Sequence, residues 1–294
     1  MHMPLFRGSA VALVTPFSQG QVDIEALRRL VQAQVEGGTA AIIACGTTGE
    51  PSTMTPDERE MVVEETLRAA QGRVPVICGT GSNDTHSVIQ TANRYRGLGC
   101  AAQLVVTPYY NKTTQEGLYA HFMAIAEQTE LPIIIYNVPG RTAMDISPQV
   151  LSRLAATGRF AGLKESAYDV PGIMEKLSAI GGRFPLYSGN DDMVYPLLAL
   201  GAQGVISVVA NVLPKAMSAM TERYFAGDTA GALEDQLRLL PLVRALFCEV
   251  NPIPVKYAMG LLGLCSDELR LPLVRASEAA QGRVRGALEA LGAL

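Results

Sequence analysis

The sequence is short of charge, of histidine and of lysine, and each shortage excludes something. Charged residues make up 18% of the 294 residues, and 24 Lys+Arg against 28 Asp+Glu leave a net charge of −4. That balance gives no basic footprint for a nucleic-acid partner. The charge is also too small, and the apolar fraction of 48% too large, for an intrinsically disordered chain. Histidine occurs three times, as His2, His86 and His121. The five cysteines (Cys45, Cys78, Cys100, Cys248 and Cys265) are scattered, with no C-x-x-C pair. A zinc cluster and a disulfide framework are therefore not expected, and a reducing, cytoplasmic setting is. Long apolar runs are missing as well. Stretches such as 40–45 and 131–136 are strand-sized, far below the roughly 18 residues of a membrane span. No basic segment followed by a long apolar core opens the sequence, so no secretory signal is expected.

What is present is a repeat of short apolar runs, at 10–14, 40–45, 74–78, 103–107, 132–136, 160–164, 185–188 and 204–208. Their spacing is that of a βαβ unit, and near-continuous rather than alternating apolar character suits parallel strands buried on both faces. Helical patterns fill the intervals at 23–36, 85–97, 115–128, 147–156, 170–179, 191–199 and 215–226. A further helix opens at Thr55, where Pro56 follows at the first helical position and Glu58 completes a capping box. Eight strands alternating with eight helices predict an α/β fold, a (β/α)₈ TIM barrel over residues 1–226. The remaining residues, 227–294, read as helices at 230–247, 254–262 and 273–291, broken at Asn251-Pro252 and Leu271-Pro272. This tail is expected to be a C-terminal helical extension packed on the barrel.

Active sites of this fold lie at the C-terminal ends of the strands. After the second run comes Gly46-Thr47-Thr48-Gly49-Glu50, whose glycines and hydroxyls suit either an anion nest or an ordinary turn. After the fourth comes Pro108-Tyr109-Tyr110-Asn111-Lys112, and after the fifth Tyr136-Asn137-Val138-Pro139-Gly140-Arg141. An arginine fork suits a carboxylate, although a loop salt bridge would also use it. The sixth run ends on Lys164, one of only five lysines. Desolvation turns a lysine into a nucleophile able to form a Schiff base, whereas a lysine that snorkels to the rim stays an ordinary cation. At the seventh run, Gly189 leaves room for a close backbone approach. The ends of the seventh and eighth runs lack a Gly-rich phosphate pattern, which argues against a sugar phosphate. One lysine with threonines, tyrosines and an arginine suits amine catalysis on a keto acid.

These motifs, with Asn251-Pro252-Ile253-Pro254-Val255-Lys256 and Leu269-Arg270-Leu271-Pro272, resemble the dihydrodipicolinate synthase family of pyruvate-dependent Schiff-base lyases, in order along nearly the whole chain. The resemblance implies that pyruvate condenses with Lys164 and that the enamine attacks L-aspartate 4-semialdehyde, toward diaminopimelate and lysine. It implies Tyr136, Thr47 and Tyr110 as a proton relay, Tyr110 crossing from a neighbouring subunit. Thr48 would hold the pyruvate carboxylate and Arg141 that of the second substrate, with Gly189 and Ile206 lining the pocket. It implies no cofactor and a homo-oligomer, a tetramer built as a dimer of dimers. Lysine-inhibited relatives carry histidines and a glutamate at their regulatory cleft. Here Pro56 and Arg59 stand in place of the histidines and Ser87 in place of the glutamate, beside Ser52, Asn83 and Tyr109. Weak or absent feedback is therefore expected. The alternatives are a sialate, keto-deoxy sugar acid or 4-hydroxy-2-oxoglutarate aldolase, which would lack Arg141 in this setting, and a non-catalytic barrel, which would need no buried amine.

Overall fold

The computed structural model describes residues 4–294, so His2 lies outside it. Eight parallel strands form a closed barrel: β1 (Gly8–Ala12), β2 (Ala41–Ala44), β3 (Val76–Gly79), β4 (Ala102–Val106), β5 (Ile133–Asn137), β6 (Phe160–Glu165), β7 (Leu186–Ser188) and β8 (Gly204–Ser207). Around the barrel the order is β1-β8-β7-β6-β5-β4-β3-β2. The helices are α1 (Ile24–Glu36), α2 (Pro56–Ala70), α3 (Thr85–Arg96), α4 (Gln115–Gln128), α5 (Pro148–Ala156), α6 (Val170–Ile180), α7 (Val194–Ala199) and α8 (Pro214–Phe225). Three more follow: α9 (Thr229–Leu246), α10 (Ile253–Leu261) and α11 (Glu278–Ala290). No described helix is long and apolar enough to cross a membrane.

By packing, the chain forms two compact units. The first holds the residues up to Arg7 and Ile77–Val205, the second Gly8–Val76 and Ile206–Leu294. In the first, β4 to β7 carry α3 to α7, and Val105, Phe122, Ile135, Leu151, Leu163 and Ile173 share one apolar core. The strand faces alternate, so Leu163 and Glu165 point toward the helices while Lys164 points the other way. In the second unit, β1 pairs with β2 in the register Ala10↔Ala41. The helices after Ala226 belong to this unit.

Local chemistry explains the element ends. The Thr55 hydroxyl accepts from the Glu58 N–H at 3.2 Å, and the Glu58 carboxylate accepts from the Thr55 N–H at 2.9 Å. These bonds satisfy donors that the first helical turn cannot pair internally. Two expectations need correction. The helix expected over 273–291 begins at Glu278, because Ser277 caps it and the preceding Leu273 closes a turn onto the Arg270 carbonyl and packs against Ile253 and Ala280. The stretch expected as one helix over 191–199 opens with a tight turn at Asp191–Met193 before α7.

One buried group in the first unit gives a pH prediction. His121 on α4 is buried, with its Nδ1 2.9 Å from the Thr85 hydroxyl. Burial pushes its imidazole down to about 4, against a smaller opposing pull from Asp84. The folded state therefore resists a proton that the unfolded chain accepts near pH 6.5. The stability this contributes is fully present above about pH 6.5 and is lost as the pH falls toward 4, about 3 kcal/mol in all. Urea unfolding between pH 7 and pH 4 should show that His121→Gln removes this part of the slope. An unchanged slope would contradict the assignment.

Candidate active site

In the first unit the site starts from the ladder between β5 and β6. Tyr136 lies opposite Lys164 and Asn137 opposite Glu165. Lys164 is 5% exposed, and its Nζ lies 4.2 Å from the centre of the Tyr136 ring. An ammonium over a phenol face gains some electrostatic compensation, but a buried cation still costs several kcal/mol. The next strand makes room for this amine. The Gly189 N–H donates to the Glu165 carbonyl at 2.7 Å. A Cβ at Gly189 would lie 3.1 Å from Lys164 Cε and would overlap the Ser166 hydroxyl. Only glycine lets the backbone come that close.

Directly after Tyr136, the chain turns through a short helical segment, Pro139–Thr142, which presents Arg141 to solvent. The Thr142 hydroxyl pins this turn, accepting from the Thr107 hydroxyl at 3.0 Å and donating to the Met144 carbonyl at 3.1 Å. Tyr109 is partly covered. Tyr110 is 93% exposed and sits in the left-handed region at φ 68°. The adjoining Asn111 side chain donates to the Asn83 carbonyl at 2.8 Å, which ties the tyrosine loop to the segment before α3. Ser87 is engaged at the α3 cap, its hydroxyl 2.5 Å from an Asp84 oxygen.

Thr47 and Thr48 lie in the second unit, in a tight turn at Thr47–Gly49 that follows β2. The Thr15 hydroxyl donates to the Gly49 carbonyl at 2.7 Å, and the Asn251 side chain donates to Thr48 Oγ1 at 2.9 Å. Glu50 closes the turn in the left-handed region at φ 53°. Its buried carboxylate accepts from Lys256 Nζ at 2.8 Å and from the Arg270 N–H at 3.3 Å. Lys256 is 0% exposed; its Nζ also donates to the Thr15 carbonyl at 3.0 Å and lies 4.3 Å from the centre of the Phe17 ring. Burial pulls its ammonium below the usual lysine range, opposed by Glu50. Arg270 forks onto Glu58 at 2.8 and 2.6 Å and holds that carboxyl down at about 2. Ile206 is buried on β8. Ser52 lies in the turn after Glu50, Pro56 opens α2, and Arg59 follows on that helix, its carbonyl 3.6 Å from the Cys45 thiol.

The structure therefore brings Lys164, Tyr136 and Gly189 together in one unit and Thr47 with Thr48 in the other. Sequence reasoning missed the polar groups behind them: Asn137, Glu165 and Lys176 in the first unit, and the Glu50–Lys256 pair in the second. One signal was readable. Lys176 falls on the apolar stripe of α6, between Ile173 and Ile180 at helical spacing, where a lysine needs a buried partner.

A family model described as the dihydrodipicolinate synthetase family matches residues 5–291. The chain is 46% identical over 285 residues to the 4-hydroxy-tetrahydrodipicolinate synthase of Trichlorobacter lovleyi, covering 97% of this chain and 98% of that one. The solved dihydrodipicolinate synthase of Thermotoga maritima superposes with a TM-score of 0.97 at 46% identity, over 99% of this chain and 100% of that one. The chloride-inhibited dihydrodipicolinate synthase of Acinetobacter baumannii, solved with pyruvate, gives a TM-score of 0.95 at 45% identity, over 98% and 99%.

Proposed function

The chain belongs to the dihydrodipicolinate synthetase family, and on that premise we propose how its residues carry out the reaction of a 4-hydroxy-tetrahydrodipicolinate synthase. Lys164 is the nucleophile. Its Nζ attacks the ketone carbon of pyruvate, and the ketone oxygen leaves as water. The resulting iminium loses a methyl proton and becomes an enamine. That carbon attacks the aldehyde of L-aspartate 4-semialdehyde, and the amino group of the second substrate then displaces Lys164 as the ring closes. One water is released overall. The protonated imine is itself the electron sink, so the chemistry calls on no further group.

The observation that carries this reading is the amine at the tip of β6, buried with its nitrogen over the Tyr136 ring. A phenol at that point suits proton transfer to and from the departing oxygen. Tyr136, Thr47 and Tyr110 are assigned the relay, Thr48 the pyruvate carboxylate, Arg141 the carboxylate of the second substrate, and Gly189 and Ile206 the pocket wall. These roles rest on the match of motifs and on the position of each residue after a barrel strand. Incubation with pyruvate, reduction with borohydride and mass measurement should give a permanent adduct at Lys164. Its absence would overturn the assignment. Ring formation after adding the semialdehyde separates this reading from that of a sugar-acid aldolase.

We further propose assembly into a homo-oligomer, a dimer of dimers, and Tyr110 supports one of its interfaces. Its phenol is almost fully exposed although its backbone is held in a strained left-handed conformation, as suits a side chain that a second copy receives. A strictly monomeric mass in solution together with full activity would remove Tyr110 from the relay. The expected compartment is the cytoplasm. Feedback by lysine should be weak or absent. Arg59 would repel a cationic ligand, and the Ser87 hydroxyl is taken up by Asp84, whose oxygens also serve the backbone of the α3 cap. Full inhibition by sub-millimolar lysine in an initial-rate assay would contradict this.

A further inference from the structure

The two residues at the chemistry are each followed by a polar residue that faces the other way. Asn137 follows Tyr136 and Glu165 follows Lys164, and the two are opposite each other in the ladder. Their side chains are bonded: Asn137 Nδ2 donates to Glu165 Oε1 at 2.8 Å and to Oε2 at 3.0 Å. Asn137 Oδ1 accepts from the Ile146 N–H at 3.1 Å, and Glu165 Oε1 also accepts from the Ala167 N–H at 2.7 Å. Lys176, on α6, donates to Glu165 Oε2 at 3.0 Å and to Asp145 Oδ1 at 2.5 Å. Asp145 also accepts from Asn137 at 2.7 Å. Asn137 and Glu165 are fully buried and Lys176 nearly so, at the edge of an apolar core.

A buried ion pair is a poor way to stabilise a fold, because well-packed apolar residues of similar volume serve as well or better. What such a cluster supplies is direction. Hydrogen bonds fix distance and angle, whereas apolar contacts tolerate sliding. We propose that Asn137 and Glu165, backed by Lys176, are positioning residues: they staple the tips of β5 and β6 from behind and so fix where the Lys164 amine stands relative to the Tyr136 phenol. A displacement of about 1 Å between a nucleophile and its proton-transfer partner costs on the order of 10²-fold in rate. The strands meet at a register irregularity between Ile133 and Ile134, at the start of β5, and pair regularly from Ile134 to Asn137. The staple lies beyond that irregularity, at the pair next to Tyr136 and Lys164.

The inference rests on the proposed role of Lys164 as the Schiff-base residue, and its test keeps the two apart. The rate of borohydride trapping at saturating pyruvate is compared for the wild type, the double variant Glu165→Met/Lys176→Met, and Glu165→Gln, alongside thermal unfolding. The double variant removes the buried charges together, so its melting temperature should stay level or rise. Its trapping rate and kcat should fall at least 10-fold, with KM for pyruvate changed less than 3-fold. Glu165→Gln keeps one acceptor for Asn137 but sets its amide nitrogen against a donor, the Ala167 N–H or the Lys176 ammonium, and should fall between the wild type and the double variant. Asn137→Ser shortens the donor and should slow trapping like the double variant, which serves if that variant fails to fold. A folded double variant that traps pyruvate at the wild-type rate overturns the inference, as does a folded Asn137→Ser that does so. A wild-type chain that forms no adduct overturns the reading of Lys164 itself.

Discussion

Lys164→Ala should reduce kcat by at least about 10³-fold, about 4 kcal/mol of lost transition-state stabilisation, without unfolding the barrel. The size of the effect follows from what the other lysines are doing. Lys112 and Lys215 are exposed, and Lys176 and Lys256 are buried against carboxylates. Lys164 is buried with its nitrogen over a phenol ring. No other side chain can take over an imine at that point, so the covalent route closes rather than slows. The stability effect should have the opposite sign from that of an ordinary core truncation. Removing a buried amine relieves a desolvation cost, and functional sites are where folds carry such costs. Thermal unfolding should therefore give a melting temperature equal to or above that of the wild type. Lys164→Arg should be equally inactive, since a guanidinium stays protonated and cannot form the imine. Substantial turnover in either variant, checked by loss of both substrates, would remove Lys164 from the mechanism.

What was legible in the sequence was what local pattern determines. The strands show as apolar runs because both their faces are covered, and α2 shows at its first turn because a capping box is a local device. Register and edges were less legible. The first strand was expected at 10–14, yet the strand runs over Gly8–Ala12: the last bond to β2 is from the Leu13 N–H to the Ile43 carbonyl at 3.1 Å, and Val14, still buried, donates its N–H to the Asn211 side chain instead. The two-stranded ribbon of Phe17–Ser18 and Gln21–Val22 went unread. Its turn, Gln19-Gly20, takes positive φ at both residues, and a Gly at the second turn position was the available signal. For the candidate site, Tyr136 and Lys164 could be singled out because each closes an apolar run. Their supports could not. Asn137, Asp145, Glu165 and Lys176 meet only after the chain has folded, and no spacing rule links the strand tip at Glu165 to a helix residue 11 positions on, or the loop residue Asp145 to the same lysine 31 positions on.

The same blindness covers the second large effect, at Lys256. Its ammonium is fully buried between Glu50, the Thr15 carbonyl and the Phe17 ring. Lys256→Met should cost about 3–5 kcal/mol, because it leaves the Glu50 carboxylate buried with one long bond from the Arg270 N–H. Glu50→Gln should cost less, since the amide carries no charge to strand, although Lys256 then loses its counter-ion. The double variant Glu50→Gln/Lys256→Met should recover most of the loss, and the cycle should show a coupling well above the few tenths expected of independent sites. Stability would return in that double variant, but the turn would not be restored. Glu50 closes the Thr47–Gly49 turn from a left-handed conformation that costs on the order of 1–3 kcal/mol and needs its anchor to persist. With the anchor gone, the Thr47 and Thr48 hydroxyls lose their fixed aim, and KM for pyruvate should rise by about 10-fold or more even though the protein is folded. Denaturant titration and initial rates on the same preparations separate the two effects. A double variant with both stability and pyruvate KM at wild-type values would show that the Lys256–Glu50 pair does not hold the turn.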